Sequence, residues 1–248
     1  MFTWSADKIR FLKDASEYGR FNDVLAERAA AHFPAGAHVC DAGCGLGYLS
    51  LALAPLCGRG TALDVSNEAL DVLRDNIARR GVQNIEVREA DAFALPAEET
   101  FDAAALCFFG GARETLRFLK RHVTGSAVLF KKNWETHRFT LRETKLEKFT
   151  FRQTCEVLTR WGVPFETESF EVEMGQPFTS VEDAARFFRL NSRGAEAAPV
   201  DPAIAAARLV PIDSAAYPYY LPSCRPVGMI VIQTRDIPQE IENESEDT

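Results

Sequence analysis

Nowhere does this chain of 248 residues run to eighteen uninterrupted apolar residues, so no conventional membrane span is expected. Its start, MFTWSADKIRF, has no apolar core of the kind a secretory signal needs. Histidine is scarce, at four, and the six cysteines (Cys40, Cys44, Cys57, Cys107, Cys155 and Cys224) show neither C-x-x-C spacing nor a histidine cluster beside them. That pattern argues against a zinc or redox motif, leaves no metal site to expect, and reads instead as buried free thiols in a cytoplasmic protein. A basic excess is missing too. The formal net charge is −8, and six of the acids (Asp236, Glu240, Glu242, Glu244, Glu246 and Asp247) lie after Arg235, where no base occurs. Without them, 28 bases face 30 acids, a nearly neutral body that lacks the footprint of a protein gripping a phosphate backbone. No nucleic-acid partner is therefore expected.

What is present is a 46% hydrophobic chain, enough for one sizeable core and a single α/β domain over residues 1–237. Its organising stretch is His38-Val-Cys-Asp-Ala-Gly-Cys-Gly-Leu-Gly-Tyr-Leu-Ser50. Asp41 closes an apolar strand, Gly43, Gly45 and Gly47 permit a sharp turn and close approach to a ligand, and Leu49, Leu53 and Leu56 begin a helical stripe. The dinucleotide fingerprint G-x-G-x-x-G would need a third glycine where this chain has Tyr48, so the spacing is G-x-G-x-G.

Strand, helix and turn signals then alternate in βα units. Thr61–Val65 reads as a second strand ending in Asp64, a carboxylate able to accept from both hydroxyls of a ribose. Asn67–Arg80 carries Leu70, Leu73 and Ile77 at helical spacing, with Gly81 at its C′ position. Ile85–Glu89 is a third strand, followed by Asp91. Phe101–Gly110 reads as a fourth strand, Ala112–His122 as a helix, and Ser126–Phe130 as a fifth strand running into Lys131 and Lys132, either of which could face a substrate from the strand end. A long helix over Arg142–Trp161, a sixth strand over Phe165–Met174 and a seventh over Val227–Thr234 follow. Ahead of all this, residues 1–34 form a cap of two short helices broken at Glu17-Tyr18-Gly19, with Tyr18, Phe21 and Asn22 as possible ligand contacts. Residues 175–226 form an insertion or lid holding Phe178, Tyr217, Tyr219 and Tyr220, with helices over Val181–Leu190 and Pro202–Leu209. Residues 238–248 read as an acidic, disordered tail.

The glycine triplet behind Asp41, the acid at Asp64 and the Ala90-Asp91-Ala92 loop, in that order over roughly residues 35–135, resemble class I S-adenosylmethionine-dependent methyltransferases. The resemblance implies a seven-stranded, mostly parallel Rossmann-like sheet with its last strand antiparallel. It implies S-adenosylmethionine as cofactor and S-adenosylhomocysteine as product. It also implies a binding set of Asp41, Gly43, Gly45, Gly47, Asp64, Val65, Asp91 and Ala92: Asp64 on the ribose, Asp91 on the adenine amino group and the Ala92 amide on the ring. At the end of the fourth strand, Cys107-Phe108-Phe109-Gly110 stands where methyltransferases acting on amide or exocyclic nitrogens carry N/D-P-P-Y/F. A small-molecule acceptor in a partly apolar pocket is expected. An RNA or protein methyltransferase and a non-catalytic S-adenosylmethionine-binding partner are the alternatives, and no catalytic residue is named, because the cofactor carries the reactivity.

Overall fold

The elements of the computed structural model, which describes residues 4–137, 139, 140, 145, 150–192 and 200–239, begin and end at chemically marked positions. Ser5 accepts from the Lys8 amide and opens α1 (Ala6–Tyr18), which Gly19 closes before α2 (Phe21–Ala30). β1 (His38–Ala42) passes through the glycine turn into α3 (Tyr48–Leu53), then β2 (Arg59–Asp64). Ser66 caps α4 (Asn67–Arg80), and Gly81 ends it in the left-handed conformation at φ 65°. Next come β3 (Ile85–Glu89), β4 (Phe101–Cys107), α5 (Ala112–His122), β5 (Val123–Lys132), α6 (Phe151–Arg160) and β6 (Glu166–Glu173). The remainder is β7 (Gln176–Phe178), α7 (Val181–Asn191), α8 (Pro202–Ala206), β8 (Val210–Pro211), β9 (Tyr219–Leu221) and β10 (Cys224–Gln233).

Seven strands join in the order β3-β2-β1-β4-β5-β10-β6. β1, β2, β3, β4 and β5 pair in parallel, and β10 enters antiparallel beside β5. This is the sheet expected from the sequence. The central strands are buried on both faces, which is why β4 reads Phe-Asp-Ala-Ala-Ala-Leu-Cys with no clean alternation. Cys40, Leu63, Leu106, Leu129 and Ile230 form its core with Leu119 and Leu158 from the helices.

Several expectations need correction. The Leu49-Leu53-Leu56 stripe stops short, because Pro55 sits in a 3₁₀ turn that ends α3 and leaves Leu56 exposed. β4 ends at Cys107 instead of Gly110, since Phe108 turns left-handed at φ 52°. Of the helix expected over Arg142–Trp161, the described residues show Phe151–Arg160 as helix; Lys145 makes an isolated bridge to Thr136, and residues 142–144 and 146–149 lie outside the described residues. Most of the expected acidic tail, residues 240–248, lies outside them too. Cys40 is a buried free thiol as expected, whereas Cys224 is exposed. Among the described residues no helix is long and apolar enough to cross a membrane.

The chain divides into two compact units. One, of residues 22–133, 148–170 and 227–248, holds the glycine turn and most of the sheet. The other gathers residues 1–21, 134–147 and 171–226, so α1 and most of the insertion fold together. Its own core joins Phe11, Phe178, Phe187, Phe188 and Leu221. Phe187 meets Phe11, Phe139 and Phe178 edge-on, with centroids 4.8 to 5.3 Å apart. Arg10 donates two hydrogen bonds to the Asp183 carboxylate, at 2.6 and 3.0 Å, tying α1 to α7. Phe178 thus serves this core and not a ligand surface, and Tyr217 is held by its hydroxyl on Asp14 at 3.0 Å. Truncating Phe187 to alanine removes the ring at the centre of this cluster. It should lower stability by about 3 to 5 kcal/mol in urea denaturation and raise hydrogen exchange first in α7.

Candidate cofactor site and its chemistry

The C-terminal ends of β1, β2 and β3 are joined by backbone hydrogen bonds. Gly43 and Cys44 both donate to the Leu63 carbonyl at 2.9 Å, which fastens the glycine turn to the end of β2. The Ala90 amide donates to the Asp64 carbonyl at 3.0 Å, which fastens the loop after β3 to the same point. Asp64 completes the joint through its side chain: one oxygen accepts from the Gly45 amide at 2.8 Å and the other from the Ser66 amide at 2.9 Å. Two of the roughly four acceptor positions of a carboxylate are thereby used, and two remain.

Each glycine of the triplet has a positive φ: 72° at Gly43, 54° at Gly45 and 72° at Gly47. At Gly47 space is limiting as well, because a Cβ would lie 2.4 Å from the side chain of Leu73 on α4. Gly47 is therefore a packing glycine, buried at the start of α3. Asp41 is buried, 4% exposed, and accepts from the Ser50 hydroxyl at 2.5 Å. Burial pushes its carboxyl up to about 6, against the lowering effect of the Ser50 hydrogen bond. It underpins the turn from inside instead of facing solvent.

Beyond β3, Asp91 is exposed and one of its oxygens accepts from the Phe93 amide at 2.9 Å, an Asx turn that starts a 3₁₀ turn over Ala92–Ala94. Ala92 is buried beneath it, and Val65 beside Asp64 leaves an apolar side chain 43% exposed. Lys131, weighed from the sequence against a solvated basic turn, is 1% exposed and donates to the carbonyls of Phe109 at 2.7 Å and Gly110 at 2.9 Å. Desolvation pushes its ammonium down to about 8. Burial pushes the thiols of Cys40, Cys44 and Cys107 up, so none is an activated nucleophile. Phe93 escaped sequence reasoning, and Phe109, expected with Phe108 to make an acceptor pocket partly apolar, packs on the glycine turn. Phe93 and Phe109 stack at 5.1 Å and 12°, and the Phe109 ring covers Gly43. The only trace of this pair in the sequence is aromatics after Asp91 and after β4.

A parallel sheet with an antiparallel strand between β5 and the edge, carrying its glycine turn after β1, is a Rossmann-like methyltransferase fold. Residues 39–124 match the family described as a methyltransferase domain. Among curated proteins the chain is similar to the ubiquinone biosynthesis O-methyltransferase of Xanthomonas axonopodis pv. citri, 38% identical over 84 residues. The match covers 33% of this chain and spans about a third, 35%, of that relative. Among solved structures, the YcgJ protein of Bacillus subtilis gives a TM-score of 0.54 at 13% identity, covering 86% of this chain and 97% of that one. A SAM-dependent methyltransferase from Aquifex aeolicus gives 0.53 at 20% identity, covering 68% and 94%. These two likenesses are of fold.

The family and fold imply S-adenosylmethionine, and the residues suit it. Asp64 keeps free acceptor capacity for a ribose, Asp91 keeps one uncommitted oxygen for an amino group, and exposed Val65 offers an apolar surface next to both. The buried Asp41 carboxyl gives a pH test. Its folded value, near 6, exceeds its ordinary 3.8, so between these values the folded state holds a proton that the unfolded state has lost. The resulting stability is present below pH 3.8 and is lost as pH rises through about 6. Asp41→Asn should therefore gain about 3 kcal/mol relative to the parent between pH 3.5 and pH 7, measured by denaturation at each pH.

Proposed function

We propose that this protein transfers a methyl group from S-adenosylmethionine to a small-molecule acceptor. The observation carrying the proposal is the joint that presents Gly45, Asp64 and Asp91 together at the ligand-facing end of a parallel sheet. The cofactor supplies an electrophilic methyl on a sulfonium. The chain's part is to bind, to orient and to keep water out. Asp64 receives the ribose hydroxyls on its free acceptor positions, Asp91 receives the adenine amino group, and the Ala92 amide meets the ring. The turn Gly43–Gly47 lies along the amino-acid end, with Asp41 holding it from below.

A small acceptor is supported by Phe108 and Phe109 after β4, by a body near charge neutrality, and by the name of the Xanthomonas relative over the matched third of its length. S-adenosylmethionine and S-adenosylhomocysteine should raise the melting temperature in a dose-dependent way, and NAD should not. A shift with NAD alone, or tight RNA binding with a steep salt dependence, would overturn the reading. In a second test, Asp64→Ala should weaken S-adenosylhomocysteine binding tens- to hundreds-fold by calorimetry. The same variant should lose about 1 to 3 kcal/mol of unligated stability, because the Gly45 and Ser66 amides lose their acceptor. Affinity unchanged in a folded variant would remove the ribose role.

A further inference from the structure

The turn after β4 is built around a buried cation. Phe108 makes the last ladder bond, its amide donating to the Phe130 carbonyl at 2.9 Å, and then its left-handed backbone takes the chain off the sheet. The next two carbonyls, of Phe109 and Gly110, turn inward, and the Lys131 ammonium takes both. Without it, two carbonyl oxygens would face a side chain offering no donor. The turn they belong to touches both cofactor loops. A Cβ on Gly43 would lie 2.2 to 2.7 Å from three carbons of the Phe109 ring, so the ring rests directly on the glycine turn. The same ring stacks on Phe93, two residues past Asp91, and a Cβ on Gly110 would lie 2.8 Å from the end of the Phe93 ring.

We infer that Lys131 is a positioning residue for cofactor binding that acts through Phe109, its two hydrogen bonds setting the height at which that ring supports both the glycine turn and the Asp91 loop. The inference rests on the methyltransferase reading. Lys131 itself is too buried to meet an acceptor, and its neighbour Lys132 sits over the Phe108 ring, 5.8 Å from its centroid, so both lysines serve the turn. Replacing Lys131 by methionine keeps the apolar stem and removes the donors. The turn is then free to relax, and the support under Gly43 relaxes with it.

A double-mutant cycle on S-adenosylhomocysteine affinity separates this relay from general destabilisation. Lys131→Met should weaken binding about tenfold in the parent, and by less than about twofold in a Phe109→Leu background, where the relaying ring is gone. Hydrogen exchange should rise at the Gly110, Gly111 and Gly45 amides in Lys131→Met before ligand is added. An unchanged affinity for Lys131→Met, or the same loss in both backgrounds, overturns the relay. Should Lys131→Met fail to fold, Lys131→Leu, which also lacks donors, carries the same cycle. Failure of the unaltered chain to bind S-adenosylhomocysteine overturns the methyltransferase reading and the relay together, and is recognised separately because it is measured before any substitution.

Discussion

The Leu63 carbonyl accepts two amides at once, from Gly43 and Cys44, and this shared acceptor is what holds the glycine turn to the end of β2. A turn with three left-handed residues has few internal hydrogen bonds, so its amides need acceptors from elsewhere. The neighbouring strand supplies them, with the Asp64 carboxylate added at Gly45. The Asp64 carbonyl then anchors Ala90 and hence the next loop. Backbone hydrogen bonds thus join three strand ends whose side chains, Ala42, Leu63 and Ala92, belong to the same core.

Two buried ionisable groups sit under this surface and are handled differently. Asp41 is desolvated and has a hydroxyl donor in Ser50, so it sits near the point of protonation. Lys131 is equally dry but faces two carbonyl dipoles, which favour a donor in either protonation state. Each costs stability that an apolar residue would not. What each gives in return is a defined backbone turn, the glycine turn for Asp41 and the 108–110 turn for Lys131. Both turns meet at the Phe109 ring, which lies against Gly43 and belongs to the 108–110 turn.

Legibility in the sequence followed locality. α4 was readable to the residue because its cap Ser66, its leucine stripe and Gly81 are all local signals, and β3 and α5 were legible from alternation and from apolar spacing. Of the helix expected from Arg142, the described residues form Phe151–Arg160, capped by Thr150, while Lys145 bridges Thr136 instead. Phe178 was read as a ligand-facing aromatic and is a core residue, because exposure is decided by partners such as Phe11, distant in the chain. Candidate binding residues were found where a motif has fixed spacing, as at Gly43, Gly45, Gly47 and Asp64. The stacking of Phe93 on Phe109 is not legible in the sequence, because it spans two loops and no spacing encodes it.

From the sequence alone come the order of the strands along the chain and the turns between them, since these depend on short-range chemistry: glycine where φ must be positive, an acid at a strand end, a cap before a helix; the class of fold and the cofactor follow from the family that this pattern resembles. Tertiary structure alone decided which of those groups remain open to a ligand. It buried Asp41, divided Asp64 between loop amides and free acceptor positions, gathered α1 and most of the insertion into a second core around Phe187, and gave Lys131 two carbonyls in place of solvent. The physical reason is that desolvation and hydrogen-bond partnership are set by whatever the fold brings alongside a residue, and in a parallel sheet the neighbours of a strand end come from distant parts of the chain.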